Sequence, residues 1–459
     1  MATTDHSDNT LKIAVVGSGP SGFYAAEALL RADLPVQVDM LERLPTPFGL
    51  VRSGVAPDHP KLKEVIKVYD RIARNPEFRF LGNVALGEDL TVDELQANYH
   101  AIVLACGAQS DRRMGIPGED LPGSHTATEF VGWFNGHPDY RDLAFDLDGE
   151  VAVIVGQGNV AADVCRILAK PVRELRSTDI SEHALEALAQ SRIREIHIVG
   201  RRGPAQARFT PRELRELGEI PDCVTLANSD DLRLGPHCET EIEDPQNGNA
   251  GKNCALFREF AANQTGDART QVRFHFYRSP SEVLGSNRVT GLRLERNRLD
   301  GPAFAQVARP TGETTTLDCD LLFRSIGYKG VPIPGLPFDD VRGIVPNQAG
   351  RVAVNDRTVP GVYVTGWLKR GPSGVIGTNR ADSVETVKHL LSDLADAPAT
   401  SKPGHQGLEE LLRQRRAEQV SYQQWLQIDE AEVMRGQPRG KPREKFTRVR
   451  DMLACAGRK

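Results

Sequence analysis

The chain has 459 residues, enough for two or three domains of roughly 150 residues each. Its 39% hydrophobic and 26% charged residues are ordinary for a globular protein with sizeable cores. The formal net charge of -5 argues against nucleic-acid binding over the whole surface, and no apolar run is long enough to form an integral membrane segment. The N-terminal MATTDHSDNT lacks the basic start and apolar core of a secretion signal and the Arg-rich character of a transit peptide. A cytoplasmic location is therefore expected. Seven scattered cysteines without a C-x-x-C pair fit reduced thiols. They weaken both a redox-disulfide reading and a protein-bound iron–sulfur reading.

In chain order, LKIAVVGSG from Leu11 reads as a buried strand running into a Gly-rich turn. PSGFYAAEALLRA has helical spacing and PVQVDMLER reads as a second strand, which completes a βαβ unit. TVDEL from Thr91 opens with a Thr-x-x-Glu capping box, and YHAIVLACG from Tyr99 is another apolar strand. A second start follows at Glu150, where EVAVIVGQGNVAADVCRIL again gives strand, Gly turn and helix. SEHALEALAQS reads as a helix and IHIV from Ile196 as a strand. CETEIEDPQNGNAGKNC reads as a polar Gly/Asn-rich loop. VRFHFY, VTGLRLER and FAQVARP read as antiparallel strands. GVYVTGW from Gly361 returns to a buried strand, DAPATSKPGH is a linker, and the final RGQPRGKPREKFTRVRDMLACAGRK is basic.

One supersecondary design thus occurs twice, about 140 residues apart, which points to two nucleotide-binding domains rather than a solenoid. The first fingerprint is Gly17-Ser-Gly19-Pro-Ser-Gly22. Its first Gly makes the tight turn, the second lets a pyrophosphate approach the backbone, and the third lets the helix pack on the strand. Glu42 ends the second strand, where a carboxylate can take ribose hydroxyls. An ordinary Gly turn with a surface Glu is the plainer alternative. The second fingerprint is Gly156-Gln157-Gly158-Asn159-Val-Ala161. The strand expected to carry its ribose-reading acid ends instead in Arg201 and Arg202. An acid there would repel a 2′-phosphate, whereas arginine attracts one, so this site should prefer NADP over NAD. The plainer alternative is a solvated Arg pair in a loop. Two different sites suggest a resident FAD and an exchanging NADP(H), with the flavin converting hydride chemistry into single-electron delivery.

TPFGLVRSGVAPDHPKLK, VGQGNVAADVCRILAK, IVGRRGPAQARFTPRELREL and GWLKRGPSGVIGTNRADSVETV resemble the adrenodoxin-reductase-type ferredoxin–NADP+ reductases. The resemblance runs from about Leu11 to the C-terminal GKPREK, nearly the whole chain. It implies an α/β fold of two Rossmann-like, glutathione-reductase-type dinucleotide-binding domains. The FAD domain would be discontinuous, residues 1–110 and 331–459, with the NADP domain, 111–330, inserted. Carried over by motif, FAD contacts fall on Gly17, Gly19, Ser21, Gly22, Glu42, Leu50, Val84, Trp367, Gly374, Val375 and Ile376. NADP contacts fall on Gly156, Gln157, Gly158, Asn159, Arg201, Arg202, Glu213 and Gly374. Broader relatives of this fold place an Asp after the Gly of the last flavin strand; here Gly366 is followed by Trp367, as in this family.

Glu213 in TPRE could close a capping box with Thr210, contact NADP, or do both. His59, at a helix start signalled by Asp58 and Pro60, could assist electron or proton transfer or only pack there. No metal is expected. The basic C-terminus and WLKRGP are candidate docking surfaces for an acidic ferredoxin, a [2Fe-2S] or other small iron–sulfur protein; a solvated tail is the commoner outcome for the last ~15 residues. The implied activity is NADPH–ferredoxin oxidoreduction by a monomer. The alternatives are a related flavoprotein reductase with another acceptor and a non-catalytic NADPH-sensing flavoprotein.

Overall fold

The computed structural model describes residues 10–395 and 401–458. The N-terminal stretch before Thr10 and the first five residues of the expected linker lie outside the described residues. The chain builds two parallel-rich sheets. In the first, β1 (Leu11–Val16) pairs in parallel with β2 (Val36–Glu42) on one side and β4 (Ala101–Leu104) on the other. β3 (Phe78–Gly82) extends the sheet beyond β2. The strand Arg357–Val364 returns in parallel to β4. Short strands at Asn347–Gln348, Arg351–Val354 and Val420–Ser421 complete the eight. β1 and β4 are buried on both faces, as their unbroken apolar runs demand. Helix α1 (Pro20–Leu30) carries proline at its first position and buries Phe23, Ala25, Ala26 and Leu29 against the sheet.

The second sheet has six strands in the order Ser124–Thr126, Leu321–Arg324, Val151–Val155, Glu195–Val199, Thr270–His275 and Cys223–Ala227. All are parallel. The sequence reading of VRFHFY as antiparallel is therefore corrected. The cause is the segment read as a polar loop, which forms the helices Pro236–Glu243 and Gly248–Ala262. The longer of them buries Ala250, Cys254, Leu256, Phe257 and Phe260 and makes the crossover that a parallel pairing requires. Gly and Asn lower its intrinsic propensity, but a packed apolar face outweighs that cost.

The strands Arg278–Leu284, Gly291–Asp300 and Val307–Asp318 form an antiparallel layer, as VTGLRLER and FAQVARP suggested. Val283, Leu292 and Leu294 cover Val153, Val155 and Val199 of the second sheet. The chain leaves the first sheet and returns to it through an antiparallel ribbon, Ser110–Asp111 against Tyr328–Lys329. The capping box of Thr91 and Glu94 is present.

The C-terminal basic stretch is not a solvated tail. Helix Val449–Cys455 buries Met452. Lys445 is buried against Asp179 at 2.9 Å, and Lys63 reaches the same carboxylate at 2.7 Å. Lys441 bonds Glu444 and the Ile180 carbonyl, and Arg448 pairs with Asp142 at 2.6 Å. Lys441 and Lys445 of KPREK thus also face carboxylates far away in sequence, Glu182 and Asp179. Burial, opposed by Asp179 and reinforced by Lys63, pushes the Lys445 pKa down to about 7. The two lysines in turn hold the Asp179 carboxyl well below its usual range, against the effect of its burial.

Asp179→Ala should leave two ammonium groups buried without a counter-ion and cost about 3–5 kcal/mol. The urea midpoint measures this; an unchanged midpoint would mean that both lysines are carried neutral.

Candidate active site

The two Gly-rich turns sit at equivalent places. Each follows a central parallel strand whose neighbours are reached in opposite directions, the position where open α/β sheets bind ligands. At the first turn, Gly17 has φ +105°, and a Cβ there would lie 2.5 Å from the Ala105 carbonyl oxygen. A Cβ at Gly22 would lie 2.0 Å from the Gly17 oxygen, so helix and turn touch backbone to backbone. Gly19 differs: a Cβ there would meet nothing within 4 Å. The second turn repeats the pattern. Gly156 has φ +136° and a Cβ position 2.1 Å from the Ser325 oxygen, whereas Gly158 faces open space. In each turn the first glycine is required by packing, as is Gly22 in the first turn, and the middle glycine presents bare backbone at a helix N-terminus, as a diphosphate needs. The second turn also holds an orphan donor, since the buried Gln157 Nε2 has no partner. Both turns fit the nucleotides that the sequence called for.

What surrounds the turns differs in charge. Around the first, Glu42 accepts from the Ser18 hydroxyl at 2.6 Å and from the Leu44 N–H at 3.1 Å. This fixes its carboxylate beside the turn. Ser21 is buried, its hydroxyl 3.1 Å from Asn379 Oδ1. Leu50 follows Gly49 and is 38% exposed. Val84 is 1% exposed, so only its main chain can meet a ligand. Trp367 stacks on Tyr328 of the linker ribbon, with centroids 5.3 Å apart, and donates to the Ser373 carbonyl at 3.2 Å. The loop that follows carries Gly374 at φ +81°, the exposed Val375 and the half-buried Ile376. Gly366 donates its N–H to Asp382, so an Asp does serve this turn, supplied from the next helix.

Around the second turn, Asn159 accepts from the Thr210 N–H at 2.8 Å and so anchors the helix Pro211–Gly218. A Cβ at Gly200 would collide with the Gln157 side chain at 2.0 Å, which brings the Arg201–Arg202 turn tightly over the second fingerprint. Arg201 is exposed and Arg202 half-buried. Burial, then Arg208 and Arg201, hold the Arg202 guanidinium below its ordinary pKa.

The expected capping box at Thr210 is absent, because the Thr210 side chain makes no cap bond and Glu213 turns to Arg166 at 3.0 Å. Arg166 is fully buried. It also holds Asp58 through Nε at 2.7 Å and a second nitrogen at 3.1 Å, and Asp163 at 2.6 Å. Lys170 adds a 2.7 Å contact to Asp58. His59 joins this cluster, with Nε2 2.7 Å from Glu216 and Nδ1 3.6 Å from Glu213. His59, Glu213 and Glu216 could together face an ion, but the Arg166 guanidinium lies 3.0 Å from Glu213 and 3.6 Å from Glu216 and supplies that positive charge itself. Sequence reasoning missed Arg166, Glu216 and Arg208. A charged residue inside an apolar helix, as in AADVCRIL, was the available signal for the first.

The docking expectation for WLKRGP is corrected. Lys369 is buried between Asp382 at 2.9 Å and Glu385 at 2.7 Å, and Arg370 bonds Asn379 and the Ser373 carbonyl. Neither cation is presented to a partner. Among the described residues no helix is long and apolar enough to cross a membrane.

Residues 11–215 match the family described as pyridine nucleotide-disulphide oxidoreductase. The mitochondrial NADPH:adrenodoxin oxidoreductase of Arabidopsis thaliana is 45% identical over 98% of this chain and 96% of its own length. The NADPH-ferredoxin reductase FprA of Mycobacterium tuberculosis is 45% identical over 96% of this chain and 98% of its own. The solved structure of M. tuberculosis FprA in complex with NADPH superposes with a TM-score of 0.91 at 43% identity, covering 98% of this chain and 99% of that one. With matches of 45% identity over nearly its full length, the chain belongs to the adrenodoxin-reductase family of NADPH-dependent ferredoxin reductases.

Proposed function

We propose that the chain is an FAD-dependent oxidoreductase that moves electrons from NADPH to an iron–sulfur ferredoxin. The observation that carries this reading is the pair of equivalent Gly turns with opposite charge beside them, Glu42 at one and Arg201–Arg202 at the other. FAD belongs to the first turn, held by Gly17, Gly19, Ser21, Gly22 and Glu42, with Leu50, the Val84 main chain, Trp367 and Gly374–Ile376 around it. NADP(H) belongs to the second, held by Gly156–Asn159, Arg201 and Arg202, with Gly374 leaving room for the nicotinamide. The corresponding halves are 1–110 with 331–459, and 111–330. Bound FAD supplies the conversion from hydride acceptance to single-electron release.

The protein's own part is positioning. Each turn fixes its nucleotide by backbone N–H groups, and the linker ribbon joins the two sheets through the Tyr328–Trp367 stack. His59 holds or passes a proton at Nε2 against Glu216, besides starting its helix. Glu213 orients Arg166, a support role; its direct contact with NADP stays part of the proposal.

A disulfide acceptor is disfavoured. All seven cysteines are unpaired, and the one beside the first turn, Cys106, is pushed up to about 12 by burial and the nearby Glu42, far from a reactive thiolate. The unpaired thiols support a cytoplasmic location. We take the enzyme to act as a monomer.

Two measurements test this reading. Anaerobic NADPH should bleach the flavin promptly, and the reduced protein should pass electrons to ferredoxin, scored with cytochrome c. Tight NADPH binding with an unbleached flavin would favour a sensor. Arg201→Ala/Arg202→Ala should weaken NADPH by roughly 100-fold, two charge-assisted contacts being lost, and change NADH no more than about threefold. Equal loss for both coenzymes would show that the pair is not a phosphate clamp.

A further inference from the structure

The loop after the strand Glu195–Val199 is rigid. Asn297 donates to the Arg201 carbonyl at 2.9 Å and the Tyr277 N–H to the Arg202 carbonyl at 3.1 Å. A Cβ at Gly203 would collide with the Tyr277 hydroxyl at 2.3 Å, and the Gly203 N–H donates to the Gln206 side chain at 3.1 Å. The loop does not then wander off. It turns back to the second fingerprint, where the Arg208 N–H donates to the Gln157 carbonyl at 2.7 Å and Arg208 bridges Gly158 in parallel register. The backbone of Arg208 is thus fastened to the open glycine of the phosphate turn. Its side chain is exposed.

Three arginines, Arg201, Arg202 and Arg208, thus come together at this turn. Arg208 bears on Arg202 more strongly than Arg201 does, although Arg201 is its neighbour in sequence. Among the described residues none of the three has a carboxylate within ion-pair distance; Glu241 acts on Arg202 only weakly and is engaged by Gln206 at 2.7 Å and the Phe304 N–H at 2.7 Å. Where Arg52 and Arg443 come together, by contrast, both reach the Glu432 carboxylate between them. Three unneutralised cations repel one another, and holding them on a fixed loop is unfavourable until an anion arrives. A phosphate bound there would relieve that repulsion and accept charge-assisted hydrogen bonds from more than one guanidinium.

We propose that Arg208 is the third cation of the 2′-phosphate site and sharpens the choice of NADPH over NADH. The inference rests on the assignment of Arg201 and Arg202 to that phosphate. The Arg208 backbone is pinned beside Gly158, so this arginine links the 2′-phosphate site to the pyrophosphate turn.

The test is calorimetric binding of 2′,5′-ADP and of 5′-AMP to the FAD-loaded protein. Neither ligand carries a nicotinamide, so the readout is independent of turnover. Arg208→Ala should weaken 2′,5′-ADP by roughly five- to tenfold, as expected for one solvent-facing charge contact, and leave 5′-AMP unchanged. Arg208→Glu should deepen the loss for 2′,5′-ADP alone. The salt dependence of 2′,5′-ADP binding should become shallower in the alanine variant. Unchanged affinity for both ligands would make Arg208 a solvated side chain and overturn the proposal. Equal loss for both would place it on the 5′-phosphate and also overturn it. Failure of Arg201→Ala/Arg202→Ala to separate NADPH from NADH would instead overturn the assignment on which the proposal rests.

Discussion

A single buried guanidinium organises the space between the two nucleotide turns. Arg166 sits in the helix that the second fingerprint opens, yet its strongest contact is the fork to Asp58, from the segment between β2 and β3 of the other sheet. Burial alone would depress its charge; Asp58, Asp163 and Glu213 more than offset that and hold it above its ordinary value. Arginine is the side chain suited to such a place, because it cannot shed its proton and its five donors can serve several carboxylates at once. Removing one partner from such a cluster leaves an uncompensated buried charge, so the geometry of the two halves is over-determined rather than adjustable. His59 and Glu216 inherit their places from this arrangement.

A second clamp uses the same segment that carries Asp58. The segment 441–448 runs from the helix Tyr422–Gly436 of the first half to Asp179, Ile180, Glu182 and Asp142 of the second. Lys63, from the same segment as Asp58, shares Asp179 with Lys445. The C-terminus is therefore a strap of matched charges across both sheets. Together with the linker ribbon it leaves the two turns little freedom of relative movement, which suits a protein whose catalysis consists mainly of holding two ring systems in register.

The two nucleotide sites show how one backbone device acquires two identities. The tight turn at positive φ and the bare glycine recur in both, while Ala161 stands in the second where Gly22 packs in the first. The difference lies at the end of the next strand, where one site has Glu42 and the other is followed by arginines. A carboxylate rewards ribose hydroxyls and rejects a phosphate, and guanidinium groups do the reverse. On the proposed assignment, cofactor choice is an electrostatic decision made outside the Gly-rich motif.

Much of this was legible in the order of residues. The buried strands, both fingerprints, the Thr91 cap, the return of GVYVTGW to the first sheet and the cationic replacement of the ribose acid all depend on local chemistry: apolar runs, glycines that need positive φ or bare backbone, and a side chain at a set distance from a turn. Three features were not legible. The Gly/Asn-rich stretch became a helix because Phe257 and Phe260 found a core; the C-terminal cations became internal because Asp179 and Glu432 awaited them; and Glu213 left its cap because Arg166 offered a stronger partner. The sequence by itself determined what each turn can hold, since a glycine's conformation and a charge's sign are properties of single residues. Which distant carboxylate meets which buried cation was decided only by the tertiary structure, because the cost of burying a charge is set by what else is buried with it.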